Sequence, residues 1–136
     1  MTNKIAIGDA DGLIALVLEN DSNHNKAIER MAKFEKNGVE IIFPVSVFPE
    51  AITALVRAAN QPEKAQFINE QLIKGVFHVE YLGSDILMRA CNLFKETKSK
   101  KNTMFDALVV ATAEKFKTKT IFSFDKWYQK LGFEIV

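Results

Sequence analysis

The chain is poor in cysteine, with Cys91 alone among 136 residues. A single thiol excludes an internal disulfide framework and any cysteine-rich zinc site. The two histidines, His24 in a polar turn and His78 in an apolar run, have no partner at ligand spacing and read as structural or surface groups. No Gly-x-Gly-x-x-Gly follows the first apolar run, and Gly8-Asp-Ala-Asp-Gly12 matches no dinucleotide fingerprint. No Gly-Lys-Ser/Thr is present, which excludes a Walker-type nucleotide triphosphatase. No apolar stretch reaches the roughly 20 residues needed to span a bilayer. The residues from Met1 to Lys4 lead into a short apolar run that meets Asp9, so no secretory signal is expected. A cytoplasmic protein without a membrane partner is the expectation. Internal repeats, low-complexity tracts and Pro/Gly-rich linkers are missing as well.

A large net charge is also lacking, since 18 Lys/Arg against 17 Asp/Glu leave +1. That balance hides an asymmetry. Residues 1–88 hold 8 basic and 12 acidic side chains, and residues 89–136 hold 10 and 5. Lys95, Lys98, Lys100, Lys101, Lys115, Lys117 and Lys119 supply most of the excess. They read either as a solvated face or as a phosphate-attracting flank beside an acidic site.

What is present is 48% hydrophobic and 26% charged residues, enough for a core and a soluble surface, which excludes disordered and fibrous classes. The length suits one domain spanning residues 1–136. Lys4–Gly8, Val39–Phe43, Val76–Tyr81, Thr120–Phe122 and Phe133–Val136 are short, β-branched or apolar runs that read as strands. Between them, helical spacing places helices over Leu13–Leu18 (capped by Asp11), Lys26–Lys36, the stretch after Pro49, Pro62 to about Lys74, Ser84 to Phe94, and Thr103 to about Lys117. Lys98–Asn102 reads as a polar loop and Lys126–Lys130 as a short helical piece. Cys91 falls mid-helix among apolar neighbours and is expected to pack. Trp127 and Tyr128 are expected to pack rather than to stack on bases. Strands separated by helices, with no hairpin dipeptide between them, imply βαβ crossovers and an α/β fold with a parallel sheet covered on both faces.

In such a sheet, sites form beyond the carboxyl ends of the strands. Asp9 directly follows the first strand, Glu50 opens the helix after the second, and Ser123 and Asp125 follow the fourth. Asp106 joins them because its helix feeds the fourth strand and runs antiparallel to it, so its start lies at the same edge. Each acid also has a local explanation. Asp9 or Asp11 can cap the first helix, Glu50 can complement a helix dipole, Asp106 can complete a capping box with Thr103, and Asp125 can cap the helix at Lys126. The conjunction is harder to explain locally. Two carboxylates about 4 Å apart repel by roughly 4 kcal/mol at an effective dielectric near 20, whereas a cap contributes about 1 kcal/mol. An all-oxygen cluster of this kind suits Mg²⁺ or Mn²⁺, and one or two such ions equip a rim for phosphodiester hydrolysis.

At these residues the sequence resembles the PIN-domain nucleases. The resemblance runs through Ile5-Ala-Ile-Gly-Asp9-Ala-Asp-Gly-Leu-Ile-Ala-Leu16, Pro44-Val-Ser-Val-Phe-Pro-Glu50, Phe105-Asp106-Ala-Leu-Val-Val-Ala-Thr-Ala113 and Ile121-Phe-Ser-Phe-Asp125-Lys-Trp-Tyr-Gln-Lys-Leu-Gly132. It covers essentially the whole chain. It implies a three-layer α/β/α sandwich with a five-stranded parallel sheet and a Mg²⁺- or Mn²⁺-dependent endoribonuclease acting on RNA. It further implies the toxin of a type II toxin–antitoxin pair of the VapC type, a homodimer inhibited by a small antitoxin protein. On this reading Asp9, Glu50 and Asp106 are the principal metal ligands and catalytic acids, with Asp125 as a further one. Ser123 bonds the acidic cluster or a phosphate. Asp11, which stands where the family has a small neutral residue, joins the site. Arg57, seven residues beyond Glu50 on one helix face, is placed to meet a substrate phosphate or to form a plain salt bridge. The alternatives are a catalytically silent PIN-like module that binds RNA or protein, and a small-substrate phosphohydrolase.

Overall fold

Parallel pairing organises the computed structural model, which describes residues 4–98 and 100–136. Five strands, β1 (Lys4–Gly8), β2 (Val39–Pro44), β3 (His78–Glu80), β4 (Thr120–Phe122) and β5 (Glu134–Ile135), form one sheet in the order β3-β2-β1-β4-β5. Every neighbouring pair is parallel, with Ile7 facing Ile42 on one side and Ile121 on the other. The strands alternate with helices α1 (Ala10–Val17), α2 (His24–Lys36), α3 (Val47–Arg57), α4 (Pro62–Ile73), α5 (Ser84–Lys95), α6 (Met104–Lys115) and α7 (Trp127–Lys130).

Successive residues of β1 point to opposite faces, as the period-2 geometry of a strand requires. Ile7 packs with Leu13, Leu55, Ile68, Val109 and Tyr128 on one side, and Ala6 packs with Ala27, Phe34 and Phe122 on the other. Helices therefore cover both faces, giving the expected three layers. Helix α6 lies between the sheet and α5, so Asp106 through Ala113 are all buried. That burial explains why its sequence is apolar almost all round rather than striped.

The structure departs from expectation in three informative places. Helix α1 begins at Ala10 and is capped by Asp9, whose backbone is extended and whose carboxylate accepts from the Ala10 amide at 2.7 Å. Asp11 thus sits inside the first turn and is not the cap. Strand β3 is shorter than Val76–Tyr81, because it is an edge strand whose two flanks are exposed. Cys91 is exposed, since Ile86 and Ala90 define the buried side of α5 and residue 91 points away from it. Of the expected loop over 98–102, Ser99 lies outside the described residues, as do residues 1–3. Among the described residues, no helix is long and apolar enough to cross a membrane.

Candidate active site

The strand order reverses at β1. The chain leaves it toward β2 on one side, and β4 joins it on the other. Loops leaving two such strands diverge and open a crevice at their carboxyl ends. Asp9 stands at this point, held by a hydrogen bond from its amide to the Phe122 carbonyl at 3.1 Å. Gly8 before it has no room for a side chain, because a Cβ there would lie 2.2 Å from the Phe43 ring. Ser123 and Asp125 follow β4, Glu50 lies in the first turn of α3, and Asp106 lies in the first turn of α6. The capping box foreseen for Asp106 is real: its Oδ2 accepts from the Thr103 amide at 2.9 Å. Capping and membership of the cluster are compatible, since the cap uses one carboxylate oxygen and leaves the other free to face the crevice.

Asp9, Asp11, Glu50, Asp106 and Asp125 are close enough to perturb one another. Burial raises the Asp9 carboxyl well above the ordinary range, and the charges of Asp11, Asp106 and Glu50 push the same way. Burial likewise raises Asp11, with Asp125 adding to it, and raises Asp106, again with Asp125 adding. Glu50 is pushed up to about 7 by burial and by Asp106 and Asp11. Asp9, Asp11, Glu50 and Asp106 resist ionisation, first because water is excluded and second because each faces others of its own sign.

Four neutral groups knit the cluster together. The Tyr128 hydroxyl lies 2.7 Å from Asp9 Oδ2 and 3.3 Å from Asp106 Oδ1. The Asn102 amide donates to Asp125 Oδ2 at 3.1 Å and lies 3.4 Å from Asp106 Oδ2. The Ser123 hydroxyl meets Asp11 Oδ2 at 3.1 Å and accepts from the Asp125 amide at 3.0 Å. The Phe124 amide donates to Asp11 Oδ2 at 2.9 Å. Ser123 is 0% exposed, and its hydroxyl is engaged with the acids. Arg57 ends α3 and is exposed, seven residues and about 10 Å along the helix axis from Glu50. Sharing a helix face does not bring it to the same end of the helix, so the fold does not place it at the cluster. Lys126 occupies the N-cap position of α7, and Asp125, one residue earlier, serves the first amide of that helix. Asp125 accepts from the Trp127 amide two residues on, in an Asx-type turn.

Tyr128 and Asn102 are the two site residues that the sequence did not disclose. Tyr128 does pack, as expected, against the main core, but its hydroxyl is buried between Asp9 and Asp106. The available signal was its position one helical turn beyond Asp125.

The family model described as PIN domain matches residues 7–134. The chain belongs to the PIN domain family. Among solved structures, this PIN domain resembles VapC20 of Mycobacterium tuberculosis, a toxin that cleaves the sarcin-ricin loop. The TM-score is 0.82 at 19% identity, over 98% of each chain. It also resembles a chain of a toxin–antitoxin complex from Klebsiella pneumoniae, with TM-score 0.59 at 17% identity, over 89% of this chain and 87% of that one. At those identities the likeness is one of fold. No curated protein matches at a significant level.

The donor set suits a hard divalent cation, being all carboxylate oxygen with neither thiolate nor imidazole among the acids. Asp11 Oδ1 is buried without a hydrogen-bond partner, an oxygen that a cation or an ordered water would satisfy. Among the described residues, no three Asp, Glu, His or Cys side chains already converge on one point at ligand distance. The acids are gathered but not closed around a centre.

Proposed function

We propose that this PIN domain is an endoribonuclease dependent on Mg²⁺ or Mn²⁺, and that its residues 1–136 act as a single domain. The observation that carries this reading is the meeting of five carboxylates, from four separate stretches of chain, in one crevice at the point where the strand order reverses. Asp9, Glu50 and Asp106 would hold the cation, with Asp125 as a further ligand and Asp11 beside them. A bound divalent cation supplies positive charge to offset the acids and to stabilise negative charge developing on a phosphoryl group. The chain's own part is to orient the acids through Ser123, Asn102 and backbone amides, and to exclude water from Asp9. Glu50, raised to about 7, is able to hold or release a proton at its carboxylate near neutral pH.

A toxin role within a toxin–antitoxin pair is supported by the fold shared with VapC20 and with the Klebsiella complex. On that reading a small antitoxin protein and RNA are its partners, in the cytoplasm. A homodimer is supported by Leu87, Met88 and Phe94, which leave an apolar strip exposed along the outer side of α5. The test is Mn²⁺-dependent cleavage of RNA by wild type and by Asp106→Asn. Loss of cleavage in the variant is expected, and unchanged cleavage removes Asp106 from the mechanism. A silent binding module would neither cleave nor bind Mn²⁺ in calorimetry, and a small-substrate phosphohydrolase would act on a simple phosphate ester while leaving RNA intact.

A further inference from the structure

Burying like charges together needs something between them, and in this chain that something is a phenol. Tyr128 is 0% exposed, and its single hydroxyl reaches Asp9 Oδ2 at 2.7 Å and Asp106 Oδ1 at 3.3 Å. These two acids come from opposite ends of the sequence, one at the end of β1 and the other at the start of α6. The hydroxyl proton can sit in only one strong hydrogen bond, and the shorter contact assigns it to Asp9. The other oxygen of each acid is fixed from the backbone, Asp9 Oδ1 by the Ala10 amide at 2.7 Å and Asp106 Oδ2 by the Thr103 amide at 2.9 Å. The ring itself is locked in the core. It packs at a tilt of 58° against Trp127 with centroids 5.3 Å apart, and the Tyr128 carbonyl accepts from the Phe133 amide at 3.1 Å. The hydroxyl therefore has one fixed position, between the two acids.

We propose that Tyr128 is a positioning residue for the cation site, its hydroxyl orienting Asp9 by donation and standing as a fixed spacer against Asp106, so that the two acids keep the separation at which they are presented to the incoming ion. The proposal rests on the reading of these acids as cation ligands. A donor behind a ligating carboxylate fixes the carboxylate's orientation, and loss of such a donor typically costs about 10- to 100-fold in metal affinity. Phenylalanine at 128 keeps the ring and its packing and removes only this donor. It leaves two buried carboxylates facing each other with nothing between them.

The experiment is Mn²⁺ titration by calorimetry, at one pH, of wild type, Tyr128→Phe and Phe133→Leu, with folding checked by circular dichroism. Phe133→Leu loosens the same corner of the core without touching the hydroxyl. The expected result is Mn²⁺ affinity lowered about tenfold in Tyr128→Phe and unchanged in Phe133→Leu. Affinity within twofold of wild type in Tyr128→Phe overturns the proposal while leaving the cation site standing. A wild type that does not bind Mn²⁺ overturns both. If Tyr128→Phe does not fold alone, the double variant Tyr128→Phe/Asp106→Asn decides. Recovery of folding when one of the two opposed charges is removed supports the proposal, and failure to recover overturns it.

Discussion

Two groups of acids in this protein are treated in opposite ways. On the flank formed by α5 and α6, Glu114 takes a forked contact from Arg89, at 2.8 Å from Nε and 3.1 Å from Nη2. Beside it, Lys115 lies 3.4 Å from Glu80 and 3.8 Å from Asp85. Each of these carboxylates is exposed or half-buried and meets a cation. At the crevice, Asp9, Asp11, Asp106 and Asp125 are held by a phenol, an amide, a hydroxyl and backbone amides, and Asp9, Asp11, Glu50 and Asp106 are pushed toward their protonated forms. The flank spends its acids on local pairing. The crevice sets its acids against one another with no cation in reach among the contacts described, and ionising them together costs stability unless a positive partner arrives from outside. The contrast separates acids paired locally with cations from acids that face one another, without reference to any relative.

Neutralising one crevice acid should move activity and stability in opposite directions. Asp9→Asn is expected to lower Mn²⁺-dependent RNA cleavage by about 1,000-fold, since the charge stabilisation at stake is several kcal/mol. The same change is expected to raise the melting temperature in chelator at pH 8, because it removes a buried charge that faces Asp11, Asp106 and Glu50. Cleavage assays and thermal melts on one preparation check both. A variant that lost activity and stability together would make Asp9 a structural acid like those of the flank.

Next in size is the backbone that delivers Asp9. Gly8→Ala drives a methyl group into the Phe43 ring, and overpacking of this kind costs about 1–3 kcal/mol. Denaturant melts measure the loss. A cost below about 0.5 kcal/mol would mean that the Phe43 side chain can step aside, and that the approach of β1 to β2 does not fix where Asp9 sits.

Much of this site was legible because connectivity, not side-chain detail, assigns residues to an edge of a parallel sheet. Asp9, Glu50 and Asp125 follow strands or open the helices after them, and Asp106 comes to the same edge because α6 runs antiparallel to β4. The five strands were readable from short apolar runs and their order of alternation with helices. Contacts that depend on side-chain direction were not readable. Arg57 shares a face with Glu50 but lies in the last turn of the helix whose first turn holds Glu50, and helical spacing alone does not distinguish the two ends. Cys91 has apolar neighbours in sequence, but its side of α5 faces outward. Tyr128 reads as a packing aromatic because its decisive partner lies 119 residues away. Asn102 reads as one more polar residue of a lysine-rich loop, although its amide lies between Asp106 and Asp125.

Acidity sharpens the comparison at a smaller scale. An acid whose carboxyl is raised in the folded protein holds a proton that the unfolded chain has already released. Stability linked to it is therefore complete at low pH and is lost as pH rises through the folded value. For Glu50 that window runs from 4.5 to about 7. The full shift would correspond to about 3 kcal/mol, but Glu50 is partly open to solvent, and about 1 kcal/mol is the expected contribution. Asp9, Asp11 and Asp106 act in the same direction. Melting temperature in chelator should fall by a few degrees between pH 5 and pH 8, and saturating Mn²⁺ should flatten the slope. A metal-free protein equally stable across that range would contradict the crowding of these acids.

The smallest effect belongs to the flank, and its smallness is the point. Arg89 and Glu114 are both well exposed, with side chains 50% and 38% accessible, so water already screens the pair and salt screens it further. Exposed pairs of this kind contribute about 0–1 kcal/mol. Glu114→Gln should therefore lower stability by less than about 1 kcal/mol, with the difference shrinking as salt is raised and with RNA cleavage unchanged. Salt-dependent melts of the two proteins check it. Neutralising a paired acid on the flank and neutralising an opposed acid in the crevice remove the same unit of charge, yet stability should fall in the first case and rise in the second. If both changes moved stability in one direction, the partner an acid faces would not be what sets its role here.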